Sequence, residues 1–205
     1  MGKFKEIEFM IKELVFATHN NHKAAEVGKM LEGQYKLLNL NDIGCAEDIP
    51  ETGSTFAENA ALKSAHVSAH YQLDCFADDS GLEVSALNNE PGIYSARYSG
   101  QRDDLINLDL VLEKLKGVED RSARFRTVIC LRLNNQDHFF EGIINGKIRT
   151  EPSGSNGFGY DPIFEPEGYH ITFAEMSLDQ KNAISHRALA MKKLINFLKE
   201  QVAAS

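Results

Sequence analysis

From Arg121 to Arg149 the chain becomes β-rich, in a pattern that limits its fold more than any other stretch. Ala123, Phe125, Thr127, Ile129, Leu131 and Leu133 alternate with Arg124, Arg126, Val128, Cys130 and Arg132, the period of two that a strand imposes on its two faces. Asn134-Asn135-Gln136-Asp137 then reads as a hairpin turn into a second strand over 138–144.

The flanking segments supply helices and shorter strands. Residues 11–17 are a short β-rich run, and Thr18-His19-Asn20-Asn21 brings turn and N-cap residues. Ala24, Val27, Met30 and Leu31 follow at helical spacing, with Gly33 as a stop. Thr55-Phe56-Ala57-Glu58 matches a capping box opening an alanine-rich helix to about Tyr71. Residues 74–78 and 82–87 read as two strands flanking an Asp-Ser-Gly turn. Leu105, Leu108, Leu112 and Leu115 predict a helix over about 103–116, closed by Gly117, with the leucines in the core or against a partner helix. Residues 151–161, rich in glycine, predict a flexible loop, and about 178–202 a mostly helical end. The order βα, α, ββ, α, β-hairpin, loop, α predicts an α/β fold: a long twisted mixed sheet with flanking helices, as two lobes around a central cleft.

Composition excludes several classes of function. Apolar content of 42% and charged content of 25% over 205 residues are those of a soluble globular chain. A formal charge of −8 argues against nucleic acid polymers, which need a broad basic face, and leaves room for a small anion in a locally basic pocket. Cys45, Cys75 and Cys130 are widely spaced and odd in number, which predicts reduced thiols in a cytoplasmic protein, without a disulfide framework or zinc site. No apolar run is long enough for a membrane span. Residues 1–9 read as an extension or alternative start, and 10–205 as one domain with two lobes.

Four clusters carry chemistry. Thr18, His19, Asn20, Asn21, His22 and Lys23 put a hydroxyl, amides and an ammonium at a helix start, the inventory for phosphate oxygens, although the same residues make a plain helix cap. Glu51 lies in a loop before the second helix, in which Asn59 and Lys63 share a face at i, i+4. Asp78-Asp79-Ser80-Gly81 places adjacent carboxylates at a strand end, where they could hold a hard cation and deprotonate water or simply form a turn. Pro91 to Tyr98 follows this third cluster. The fourth is Gly157-Phe158-Gly159-Tyr160-Asp161 with Lys181 to Arg187, in which an aromatic ring could stack on a flat base and His186-Arg187 could donate to ring oxygens or phosphates.

Taken in order, the motifs Thr-x-Asn-x-x-Lys, Glu-Thr-Gly-x-Thr-Phe-x-Glu-Asn-Ala-x-x-Lys, Ala-Asp-Asp-Ser-Gly-Leu-x-Val, Pro-Gly-x-Tyr-Ser-Ala-Arg-Tyr, Gly-Phe-Gly-Tyr-Asp-Pro-Ile-Phe and Lys-x-Ala-Ile-Ser-His-Arg resemble those of the non-canonical purine nucleoside triphosphate pyrophosphatases, the inosine/xanthosine triphosphatase family. They span about residues 14–190. The resemblance implies Mg²⁺-dependent cleavage between the α- and β-phosphates of ITP/dITP or XTP/dXTP, to a monophosphate and pyrophosphate, and a homodimer. It implies Asp79 as general base and metal ligand, Glu51 as second metal-site acid, and Asp78 as a supporting acid. Thr18, His19, Asn20, Asn21, His22, Lys23, Lys63 and Lys181 would meet the phosphates, and Ser80 the substrate. Phe158, Gly159, Tyr160 and Asp161 would hold the base and sugar side, with Phe158 stacking, while His186 and Arg187 would donate to the purine 6-oxo oxygen. Adenine offers a donor there instead, so such a pocket would reject it. The rival readings are a pyrophosphatase for modified pyrimidine nucleotides, and a non-catalytic nucleotide- or RNA-binding module, which would not need Glu51, Asp78 and Asp79.

Overall fold

The computed structural model describes residues 12–33 and 35–203, so the expected extension over residues 1–9 lies outside the described residues. Strands β1 (Lys12–Phe16), β2 (Tyr35–Asn39) and β3 (Cys75–Val84) are parallel, with helices α1 (Asn21–Leu31) and α2 (Phe56–Tyr71) in the connections. The chain then makes a 3-10 turn over Gly92–Arg97 and helix α3 (Asp104–Lys114). Strands β4 (Ser122–Leu133), β5 (Gln136–Ile148) and β6 (Phe164–Pro166) add antiparallel to β3, and helices α4 (Leu178–Ile184) and α5 (His186–Ala203) close the chain. The sheet order is β2-β1-β3-β4-β5-β6. It is a mixed α/β sheet whose parallel half and antiparallel half share β3.

The hairpin forms as its alternation predicts, and longer at its far end. Asn134 and Asn135 adopt positive φ of 50° and 62°, the two-residue turn whose twist matches the strands, with Leu133 opposite Gln136. Val128 and Cys130 are buried under α2, whereas Arg124, Arg126 and Arg132 keep their charges at the surface.

Two expectations change. β2 was not anticipated; Leu37 and Leu38 are only partly buried there, in a five-residue edge strand of weak alternation. The two strands expected around an Asp-Ser-Gly turn are one continuous strand, which runs through Asp78-Asp79-Ser80-Gly81 and ends at Val84, where Ser85–Leu87 turn away. Gly81 serves close approach here: a Cβ would stand 2.2 Å from the Gly92 carbonyl oxygen, so only glycine lets the 3-10 turn lie against the strand.

Apolar side chains collect in three clusters. Phe16, Val27, Phe76, Ile129, Leu131 and Met191 fill the α1/α5 face, and Val15, Val67, Cys75 and Ala77 the α2 face. Leu82, Phe125, Leu108, Val111, Phe164 and Phe173 form a separate core around the distal half of the hairpin. Each Val, Leu, Ile, Phe or Met side chain among them contributes roughly 1.5–3 kcal/mol when fully buried. Of the leucine stripe, Leu108 and Leu115 reach this core, but Leu105 is 72% exposed. Residues 151–161 are irregular yet held: the amides of Ser155 and Asn156 both donate to Ala174 O. No helix among the described residues is long and apolar enough to cross a membrane.

Candidate active site

Side chains alternate across a strand, so Asp78 and Asp79 leave β3 on opposite faces. Asp78 points toward α1 and α5. Its Oδ1 accepts from Lys23 Nζ at 2.9 Å, and its Oδ2 from Ser80 Oγ at 2.7 Å and Arg187 Nε at 3.2 Å. Burial alone would push this carboxyl up, but the positive charges of Lys23, Arg187 and Lys63 hold it well below the usual range. Asp79 points toward α2, where Oδ2 accepts from Asn59 Nδ2 at 2.9 Å and Oδ1 from the Ser80 amide at 3.0 Å. Burial raises it, Glu51 adds in the same direction, and Lys63 and Lys23 offset this only in part. Of the two, Asp79 is the carboxylate that keeps affinity for a proton.

The first loop sits at the N-terminus of α1. Asn20 caps the helix by accepting from the Lys23 amide at 3.0 Å, and Thr18 Oγ1 accepts from the Asn20 amide at 3.1 Å. That cap turns Lys23 inward to Asp78. His19 spans to Asn41 Oδ1 at 3.2 Å and the Glu47 carbonyl at 3.0 Å. Glu51 accepts from Lys63 Nζ at 2.6 Å, with Arg97 at 3.4 Å from its other oxygen. Burial raises Glu51 while Lys63, Lys23 and Arg97 bring it below its ordinary value; Lys63 is penalised by burial but raised overall by Asp79, Glu51 and Asp78. Lys23 goes the other way: burial lowers it more than Asp78 restores. Asn59 ties the loop that carries Glu51 to Asp79, accepting from the Gly53 amide at 2.8 Å while donating to Asp79.

The far end is built from α4, α5 and the glycine-flanked loop. Lys181 Nζ lies between Glu26 Oε1 and Asp161 Oδ2, each at 2.6 Å, and Arg187 donates to Glu26 Oε2 and, at 3.3 Å, to Ser80 Oγ. Lys181, expected as a point charge for phosphate, is therefore flanked by two buried carboxylates, and three of the five N–H groups of the Arg187 guanidinium are engaged inside the protein. Glu26 was missed in the sequence: it is one more charged residue of α1, and its partners lie 155 and 161 positions away. Burial outweighs Lys181 at Asp161 and leaves that acid raised, while at Glu26 burial is outweighed by Arg187 and Lys181. The His186 ring stacks on Phe125 at 4.7 Å and 9°, and its Nδ1 is buried without a partner among the described residues. Burial, reinforced by Arg187 and Lys181, drives His186 well below the usual histidine range, so the ring is neutral at physiological pH. The Phe158 ring covers Lys181 at 5.0 Å and Arg187 at 5.7 Å, and stacks with His22 at 5.4 Å. Tyr160 donates to Ser95 O at 2.8 Å, and Asp161 accepts from the Phe158 amide at 2.9 Å, so both shape the loop from within.

One cleft of about 240 Å³ collects these groups. Thr18, His19, Asn20, Lys23, Glu51, Lys63, Asp79 and Ser80 line it toward the first loop, and Phe158, Gly159, Tyr160, Asp161, Lys181, His186 and Arg187 toward α5. Asn21 and His22, on the exposed outer side of α1, do not line it, nor does Asp78. The cleft thus has a carboxylate–lysine end and an aromatic–imidazole end.

A sequence model of the Ham1 family matches residues 14–197. The chain belongs to the Ham1 family. Among relatives, it is 53% identical over 188 residues to the dITP/XTP pyrophosphatase of Flavobacterium psychrophilum, covering 91% of this chain and 99% of that protein. It is 45% identical over 194 residues to that of Bacillus subtilis, covering 92% and 98%. Among solved structures, the Ham1 protein of Staphylococcus aureus superposes with a TM-score of 0.84 at 41% identity, over 93% of this chain and all (100%) of that one. The family match over residues 14–197 includes all four site clusters described above.

Proposed function

We propose that this Ham1-family protein hydrolyses non-canonical purine nucleoside triphosphates, ITP/dITP and XTP/dXTP, to the monophosphate and pyrophosphate. What carries the reading is the pairing, in one cleft, of two carboxylates beside buried lysines with a neutral imidazole and an aromatic loop at the other end. The relatives' activity names the substrate class.

Asp79 takes the proton of the attacking water, a role suited to a carboxylate raised by burial and positioned by Asn59. Lys23 and Lys63 face the phosphates from either side of β3, and the Thr18–Asn20 loop offers donors at a helix N-terminus. At the other end Phe158 stacks on the base, and His186 and Arg187 read its 6-oxo edge, while Glu26, itself paired with Lys181, holds Arg187 in place.

The donor set also fits Mg²⁺. Glu51 and Asp79 face the same cleft, and no group of three or more His, Cys, Asp or Glu among the described residues forms a cage of its own. Two carboxylates plus phosphates and waters suit this ion. When bound, it would neutralise the triphosphate and polarise the scissile phosphorus centre. We further propose that the protein acts in the cytoplasm as a homodimer.

The test is a nucleotide panel with and without Mg²⁺, scored for pyrophosphate against orthophosphate. ITP and XTP are expected to give pyrophosphate only with the ion. Orthophosphate as product, or turnover confined to modified pyrimidine nucleotides, would overturn the reading.

A further inference from the structure

We propose that Gly142 is a positioning residue for base recognition: its missing side chain is the seat on which the first turn of α5 rests, and so decides where His186 and Arg187 stand. The inference rests on the base-end reading above.

Gly142 lies in the middle of β5, opposite Thr127 of β4, and is buried. A Cβ there would stand 2.0 Å from the His186 carbonyl oxygen, 2.7 Å from the Ala190 amide nitrogen and 3.0 Å from the His186 carbonyl carbon. These atoms belong to the first turn of α5, where the amide at i+4 meets the carbonyl at i. None is the end of a flexible side chain, so an alanine would force the helix N-terminus back by on the order of 1 Å to reach ordinary contact. That turn carries the two residues of the aromatic–imidazole end. His186 leaves it to stack on Phe125, and Arg187 to reach Asp78, Glu26 and Ser80. The same seat continues across the sheet, where Thr127, the strand partner of Gly142, bonds Ser80 Oγ at 2.7 Å. A misplacement of about 1 Å in a site can cost about 10²-fold, because its groups must be held to within about 0.5 Å.

Gly146, four residues along the same strand, provides a matched control. Its Cβ would meet Glu165 O at 2.3 Å and the Phe164 ring at 2.7 Å, both in β6; it touches no atom of α5 among these contacts and reaches the His186 ring only indirectly, through Phe164 and its packing on Phe125 at 4.7 Å. Gly142→Ala and Gly146→Ala thus both press a methyl group into backbone, but only the first presses directly on the turn that carries His186 and Arg187. A third variant, Ala190→Val, enlarges a fully buried residue (0% exposed) of the same helical turn. The full-length proteins are compared for melting temperature and for kcat/KM on ITP and on ATP. The wild type is expected to prefer ITP. Gly146→Ala should lower the melting temperature and keep that preference. Gly142→Ala and Ala190→Val should cut the ITP-over-ATP ratio on the order of tenfold or more, chiefly through KM for ITP. Folded Gly142→Ala with the wild-type ratio would overturn the proposal, as would an equal change in Gly146→Ala. If Gly142→Ala does not fold, Ala190→Val decides in the same way. A wild type that does not prefer ITP would sink the base-end reading itself.

Discussion

On the α1/α5 side of β3, Asp78 is surrounded by donors, two of them cationic: Lys23 and Arg187 with the Ser80 hydroxyl between. On the α2 side, Asp79 accepts hydrogen bonds only from neutral groups, the Asn59 amide and the Ser80 backbone. Two bonded neighbours of the same type are thus held in opposite states, one lowered and one raised. A strand can divide labour between adjacent acids without spacing them apart, because alternation delivers each to a different set of helices. A buried ion pair adds little net stability, yet breaking one strands its partner, whereas a carboxylate bound by neutral donors stays chemically available.

The contrast can be broken most directly at Asp79. Asp79→Asn should lower kcat for pyrophosphate release by about 10²–10⁴-fold, the range for losing a general base, while nucleotide binding by calorimetry persists. Near wild-type turnover would remove the functional half of the comparison. Asp78→Asn tests the other half. It should cost about 3–5 kcal/mol of unfolding free energy in urea titrations, since Lys23 and Arg187 lose their shared counterion. A loss under about 1 kcal/mol would mean that the pair is no more than a surface contact.

Glu26→Gln should cost less, about 1–3 kcal/mol, because Lys181 keeps Asp161 and Arg187 keeps Asp78. The same urea titration measures it, and a loss as large as that of Asp78→Asn would show that the two acids are equivalent counterions. The smallest effect concerns His186. Burial holds its folded value below the ordinary histidine value of 6.5, so the folded state excludes a proton that the unfolded chain accepts. Its contribution is complete above pH 6.5 and is lost as the pH falls from there toward the folded value, at up to about 1.4 kcal/mol per unit. His186→Gln should flatten that part of the stability–pH curve; an unchanged slope would mean that the ring is not desolvated.

The long hairpin was legible because its alternation is local and strong, and α5 because its helical pattern is long. The continuity of β3 was not, since Asp-Asp-Ser-Gly has low strand propensity and the distant partners of its acids, Lys23, Asn59 and Arg187, come from α1, α2 and α5. The position of the acids was readable from their motif, but not their assignment to two faces, which depends on the strand running unbroken. Glu26 was invisible for a related reason: nothing local distinguishes it from a solvated helix residue until Lys181 and Arg187 arrive beside it. Leu105 erred in the opposite direction, because a leucine stripe one turn longer than the core it serves leaves its first member in water.

The pairing of Glu26 with Arg187 joins positions 161 residues apart. A chain emerging from the ribosome makes α1 and its loop well before α5. Until α5 is out, Glu26 has no arginine, Asp78 only half of its cations, and the cleft no imidazole end. The cleft as a whole therefore waits for α5, and a product ending before that helix would carry Asp78 and Asp79 without Arg187 and His186 beside them.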